Sequence, residues 1–130
     1  MIPTPTDRPI YDGEIATYWL TDDGILVSRS KSIRRTVANI AANVALVKQI
    51  TNGTPAPLLI YLSRSPVPDR ETRRFSTEQL PQIYTAMAMI SETALASLIM
   101  NILFRVQPSP IPIAHFTDEA KAIAWLKQFC

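Results

Sequence analysis

The side chains with the clearest chemical potential in this sequence are basic, and they are concentrated in one part of the chain. Between Arg29 and Arg74 there are nine Lys or Arg residues against two acidic ones, a net charge of +7, whereas the whole chain carries +2. The remainder of the chain therefore carries −5. Guanidinium groups bind carboxylates and phosphates through paired, charge-assisted hydrogen bonds. The chemistry that this distribution favours is recognition of an anion.

Seven residues in this stretch form a candidate anion-binding site. They are Arg34, Arg35, Ser63, Arg64, Arg70, Arg73 and Arg74. They follow the second and third predicted strands or lie in the next helix, and ligands gather at the carboxyl ends of strands in open α/β sheets. We expect the anion to be a phosphate-bearing ligand, an acidic loop of a partner or an anionic surface. The alternative is a solvated face whose arginines pair with Glu71 and Glu78.

The position of two of these arginines adds to the argument for an anion. Arg34 and Arg35 come directly before a predicted helix, at the positive end of its dipole, where positive charge is mildly unfavourable. A bound anion would relieve that repulsion.

The sequence has no recognisable catalytic arrangement. It lacks a Gly-x-Ser-x-Gly elbow, a Cys–His pair with an orienting acid and a Gly-rich phosphate loop. The single histidine, His115, falls in a predicted strand and is interpreted as structural. Two acidic pairs could be considered as metal ligands, but we interpret Asp22-Asp23 as part of a turn and Asp118-Glu119 as the start of a helix. A metal site needs several ligands that converge on one point. We therefore expect a protein that is not an enzyme and needs no metal or cofactor.

Length and composition indicate one soluble domain. The chain has 130 residues, 47% of them hydrophobic, which suits a single packed core. The lone cysteine, Cys130, excludes a disulfide within the chain and fits a reducing cytoplasm. The N-terminus has no secretory signal pattern, and the longest apolar stretch, 94–104, is shorter than the ~20 residues that span a bilayer. We expect a cytoplasmic protein without a transmembrane segment, and a net charge of +2 does not indicate nucleic-acid binding.

Hydrophobic patterns and turn residues predict the elements that position the basic side chains. A Pro-rich extended arm is expected over 1–13, followed by one domain over 14–130. Strands are predicted at 14–20, 25–28, 58–62, 84–90 and 111–116. Helices are predicted to run from Thr36 to Thr51, over 70–79, over 92–106 and from Thr117 to the C-terminus. The segment 84–90 is rich in helix formers, but we assign it as a strand because it lies between two helical segments.

This order, β-β-α-β-α-β-α-β-α, predicts an α/β fold with a mostly parallel sheet. The N-terminal hairpin is antiparallel, and the helices cover the sheet through right-handed crossovers. The predicted helix 92–106 is apolar on nearly all sides, which indicates cover from a partner subunit, the N-terminal arm or a bound lipid. The alternative is a helix packed deep against the sheet. We expect a homodimer.

The element order resembles the STAS domain of bacterial anti-sigma-factor antagonists, and more closely the SpoIIAA-like group of small bacterial proteins. That group shares its fold with the CRAL-TRIO lipid-binding domains. The stretches that carry the resemblance are 52–62, 71–75 and 112–126, the last a strand and helix ending in Ala124-Trp125-Leu126.

The resemblance implies a non-catalytic protein-interaction or regulatory module with a protein partner. The alternative that it implies is a binder of a small apolar, lipid-like ligand or of a phosphorylated one. In anti-sigma-factor antagonists a serine after Asp at the start of a helix is phosphorylated, but here that stretch reads Asp69-Arg70-Glu71. A phosphorylation switch would therefore have to use Ser63, Ser65 or Thr72, which are nearby.

Overall fold

The computed structural model describes residues 4–63, 66–91 and 109–130. Within these ranges the chain forms one six-stranded sheet whose strands lie in sequential order. The strands are β1 (Tyr11–Asp12), β2 (Ala16–Leu20), β3 (Leu26–Ser30), β4 (Ala56–Tyr61), β5 (Tyr84–Ile90) and β6 (Ile113–Phe116). The pairs β1–β2 and β2–β3 are antiparallel, and β3 to β6 are parallel. The predicted hairpin and mostly parallel sheet are confirmed.

The helices of the described residues follow the parallel strands. They are α1 (Val37–Ile50), α2 (Arg70–Ile83) and α3 (Glu119–Leu126), and a 3-10 turn, Lys127–Phe129, follows α3. The predicted helix 92–106 lies outside the described residues. Among those described, no helix combines the length and hydropathy needed to cross a membrane.

Local signals explain where the first helix begins and ends. The Thr36 hydroxyl accepts a hydrogen bond from the Asn39 amide N–H at 3.1 Å, and the Asn39 side chain accepts one from the Thr36 N–H at 2.8 Å. This capping box satisfies two backbone donors at the start of α1. At the other end Asn52 and Gly53 take positive φ angles of 55° and 79°, and the Gly53 N–H donates to the Lys48 carbonyl.

The sheet is buried on both faces, as its continuous apolar strands require. One face packs under α1 and α2, with Val47, Leu58 and Ile83 in its core. The other face packs against α3, with Leu59 and Leu126 in its core. Side chains that alternate along each strand are thereby divided between two apolar layers.

The N-terminal arm contributes more than an extended segment. Its last residues form β1, which pairs with β2. Nearer the N-terminus, the Arg8 guanidinium donates to the Leu20 carbonyl at 2.9 Å, and Arg29 donates to the Thr4 hydroxyl at 2.6 Å. The Arg29 guanidinium also lies 5.3 Å from the ring centroid of Trp19, which is 3% exposed. The arm therefore lies over the hairpin on the side that carries Trp19.

Two helix boundaries differ from the prediction. The helix α2 runs to Ile83 and not to Gln79, although Pro81 lies inside it. Pro81 has no N–H, so the last turn of α2 loses one backbone hydrogen bond. The Tyr84 N–H still donates to the Leu80 carbonyl, and the burial of Ile83 stabilises the longer helix. The helix α3 begins at Glu119 rather than at Thr117, and its N-cap is Asp118, whose carboxylate accepts from two backbone N–H groups.

Candidate functional site

Three exposed arginines meet at the carboxyl ends of β3 and β4. Arg34 lies in the loop between β3 and α1, and its carbonyl accepts a hydrogen bond from the Asn39 side-chain amide at 2.9 Å. Arg70 and Arg73 lie in the first turn of α2. We call these three residues the basic rim. Within the described ranges none of them has a carboxylate oxygen within 4.0 Å.

One carboxylate connects the two sides of the basic rim. Asp69 caps α2 by accepting a hydrogen bond from the Thr72 N–H at 2.8 Å. The pKa of Asp69 is lowered, first by its hydrogen bonds to Thr72 and then by the charges of Arg34 and Arg73. Two arginines from different elements thus act on the same carboxylate. The three arginines of the basic rim outnumber the two nearby exposed acids, Asp69 and Glu71, so the rim keeps a net positive charge.

Arg35, one residue from the rim, has a different environment. Its Nη1 donates to the carbonyls of Lys31 and Ile33, both at 2.6 Å. Its Nη2 donates to the Ile15 carbonyl at 3.2 Å and to the Ser30 hydroxyl at 2.5 Å. Partial burial lowers the pKa of Arg35. This guanidinium ties the start of β2 to the end of β3 and the loop that follows, so we do not include it in the basic rim.

The remaining residues of the predicted site separate into three cases. Arg74 pairs with Glu78 at 3.2 Å, an exposed i, i+4 pair of the solvated kind that the alternative interpretation expected. Ser63 is half-buried just beyond β4, and Arg64 lies outside the described residues. Thr72, considered as a phosphorylation site, is 4% exposed, and its backbone takes part in the α2 cap.

A cavity that the sequence did not suggest lies between the sheet and the helices α1 and α2. Its volume is about 150 Å³ and it is partly open to solvent. The walls are mostly apolar, formed by residues such as Ala16, Leu58 and Met87. Polar side chains enter it from α1 at Asn43 and from α2 at Ser76 and Gln79. We call this space the inter-helix cavity.

The inter-helix cavity has a physical origin in the composition of α2. The residues of this helix that pack on the core or line the cavity are Thr72, Phe75, Ser76, Gln79, Leu80 and Ile83. A helix that packs tightly on a sheet places large apolar residues at such spacing. Here small or polar side chains occupy several of these positions, so the space above β4 and β5 is not filled.

A polar network lies at the inner end of the cavity. The Tyr18 hydroxyl donates to Oδ1 of Asn43 at 2.9 Å, and the Tyr84 hydroxyl lies 3.4 Å from that of Tyr18. Burial raises the pKa of both tyrosines. Both rings therefore stay neutral, and the Asn43 side chain hydrogen-bonds to both tyrosine hydroxyls.

Neither metal binding nor histidine chemistry is favoured by the described part of the chain. Within it, no group of three or more His, Cys, Asp or Glu side chains could hold a metal ion. His115 lies in β6, half-buried, and burial lowers its pKa.

Comparisons with known proteins agree with this fold. The profile of a family described as "Domain of unknown function (DUF7793)" matches residues 18–130. A crystal structure of an uncharacterised protein from the DUF3478 family of Shewanella loihica PV-4, described as having a SpoIIAA-like fold, superposes with a TM-score of 0.60. The two chains are 16% identical over 95% of this chain and 98% of the other. The predicted SpoIIAA-like fold is confirmed. No curated protein matches the chain.

Proposed function

This chain belongs to the DUF7793 family, a domain of unknown function, and we propose that it is a non-catalytic interaction module that docks an anionic group of a regulatory protein partner on its basic rim. The observation that carries the proposal is that three exposed guanidinium groups outnumber the carboxylates of Asp69 and Glu71, with Arg34 and Arg73 both acting on Asp69. Such a surface raises association rates with acidic partners and rejects basic ones.

The helix dipoles add to the preference for an anion. Arg34 precedes α1, and Arg70 and Arg73 occupy the first turn of α2. Positive side chains at these ends are disfavoured by about 0.3–1 kcal/mol each, and an anion would reverse the sign of that interaction. The rim therefore binds an acidic loop or a phosphate group more favourably than its charge alone would predict.

Neutralising the basic rim tests the proposal. The variant Arg34→Gln/Arg70→Gln/Arg73→Gln removes three exposed positive charges. The matched control Lys48→Gln/Lys121→Gln/Lys127→Gln removes three exposed charges elsewhere. The probes are a short poly-glutamate peptide and inorganic pyrophosphate, each titrated by isothermal calorimetry.

We expect the parent protein to bind the peptide, and its affinity should decrease as the salt concentration is raised from about 0.05 to about 0.3 M. The rim variant should bind at least about tenfold more weakly, since three contacts of about 0.5 kcal/mol each sum to that factor. The control should stay within about twofold, the change expected of a general charge effect. Equal losses in both variants, or no salt dependence in the parent, would overturn the proposal.

The predicted homodimer is a separate matter. It was inferred from segment 92–106, which lies outside the described residues, and it stays a prediction. Size-exclusion chromatography with light scattering tests it directly, because a monomeric mass over the accessible concentration range would exclude it.

The inter-helix cavity supports a second candidate function, the binding of a small apolar ligand. An apolar pocket with a few convergent polar groups is the usual form of a ligand site. Mass spectrometry of small molecules released from the natively purified protein tests this function without assuming a ligand.

A further inference from the structure

We propose that the inter-helix cavity binds a neutral molecule with a single ring and one hydrogen-bonding group, of which phenols and primary aryl amides are the simplest examples. The proposal rests on the second candidate function above and specifies the class of ligand. It is independent of the basic rim.

The size of the cavity sets the size of the ligand. Its volume is about 150 Å³, and an engineered apolar cavity of about 150 Å³ in another protein is known to hold benzene. Pockets for drug-sized ligands start at roughly 300 Å³. A sterol or a phospholipid chain would therefore not fit without displacing α1 or α2, whereas one six-membered ring would.

The walls suit a flat apolar body. Leu58, Ala16 and Met87 form the sheet side and are 1%, 3% and 5% exposed, while Val44 and Ile83 face them from the two helices. A ring that fills this space would remove apolar surface from water at about 25 cal/mol per Å². The small side chain of Ala16 leaves the room that a larger residue would occupy.

The polar side chains of the cavity offer hydrogen-bonding groups to a ligand. Ser76 and Gln79 are half-buried, and their side chains make no hydrogen bond to another residue of the described ranges. Asn43 also lines the cavity, but its side chain already hydrogen-bonds to Tyr18 and Tyr84. A hydroxyl or primary amide on the ring can form hydrogen bonds with the side chains of Gln79 and Ser76. Unpaired groups of this kind cost about 1–3 kcal/mol when dry.

The residues that line the cavity favour a neutral ligand. Arg35 is the charged residue at the cavity wall. Its guanidinium already donates to three backbone carbonyls and a serine hydroxyl. An anion entering the cavity would lose its hydration, which is costly in an apolar site, while the Nη1 and Nη2 groups of Arg35 that could pair with it already donate to protein acceptors. Benzoate should therefore bind far more weakly than phenol.

The test uses the full chain and three probes, phenol, benzene and benzoate, titrated by two-dimensional amide NMR. We expect saturable shifts with phenol and benzene that centre on β4, β5 and the inner face of α2, and none with benzoate. The variant Ser76→Leu fills the cavity and should abolish the binding of both phenol and benzene. The control Thr77→Leu places the same side chain on the exposed side of α2 and should bind as the parent does.

A second variant keeps the result interpretable if Ser76→Leu disturbs folding. Gln79→Leu removes the polar partner but keeps the apolar space, so phenol affinity should fall by about tenfold while benzene affinity is unchanged or higher. Binding that survives Ser76→Leu in a folded protein, or equal losses of phenol and benzene in Gln79→Leu, would overturn the proposed ligand class.

The outcomes also separate this inference from the function on which it rests. If no probe binds but mass spectrometry finds another small molecule released from the protein, the ligand class is wrong and the binding function stands. If no probe binds and nothing is released, both are wrong.

Discussion

Replacing Arg35 by methionine tests whether Arg35 stabilises the fold while its neighbour Arg34, an exposed residue of the basic rim, does not. Methionine keeps much of the length and apolar stem of the side chain but removes the guanidinium. The change leaves the carbonyls of Lys31, Ile33 and Ile15 and the Ser30 hydroxyl without this donor. These acceptors lie on three different segments, so the loss should loosen the connection between β2, β3 and the loop before α1.

The size of the effect can be estimated from the hydrogen bonds. Bonds to a charged donor are worth about 1.5–3 kcal/mol each when buried. Arg35 is only half-buried, so water replaces part of what is lost and the sum must be discounted strongly. We expect a loss of about 2–4 kcal/mol in the free energy of unfolding, a large share of the 5–15 kcal/mol typical of a domain.

Urea unfolding followed by far-ultraviolet circular dichroism measures this loss. The control is Arg34→Met, which makes the same chemical change one residue away on an exposed side chain and should cost less than about 0.5 kcal/mol. Arg35→Lys keeps the charge without the planar fork and should lose more than half of the stabilisation. If Arg35→Met and Arg34→Met unfold at the same urea concentration with equal slopes, the structural role assigned to Arg35 is refuted.

Three further predictions concern other parts of the fold. Burial lowers the pKa of His115 from 6.5, so protonation of this residue favours the unfolded chain. The free energy of unfolding should therefore fall as the pH drops below about 6.5. The variant His115→Gln should flatten that part of the pH profile, measured by urea unfolding. Gly53→Ala should cost about 1 kcal/mol by thermal unfolding, since φ is +79° and nothing lies within 4 Å of an added Cβ, so the cost is backbone strain. Deleting residues 1–8 in a Trp125→Phe background should shift Trp19 fluorescence to longer wavelength, and an unchanged spectrum would show that the arm does not cover this ring.

Much of the fold follows from local sequence signals. The segment Tyr84–Ile90 is a strand although Ala and Met favour helix, because it follows α2 and pairs in parallel with β4 and β6. The cap at Thr36 and the turn at Gly24 follow from residue types whose preferences act over a few positions. The end of α2 was less predictable, since burial of Ile83 outweighs the local effect of Pro81.

The candidate site was predicted only in outline. The sequence placed Arg34, Arg70 and Arg73 at one edge because the strands before them end there. The inter-helix cavity was missed, although the polar residues Ser76 and Gln79 on the inner face of α2 were a signal that this face would not pack tightly.

The sequence by itself determined the order of the elements, the helix caps and the edge of the sheet where positive charge collects, because these depend on short-range preferences and on periodicity. Only the tertiary structure decided what neighbouring side chains of the same type do. Arg34 and Arg35 are identical in kind, but the carbonyl of Ile15 reaches Arg35 through the pairing of β2 with β3. A guanidinium is available to a ligand only when the fold brings it no acceptors, and that depends on residues distant along the chain.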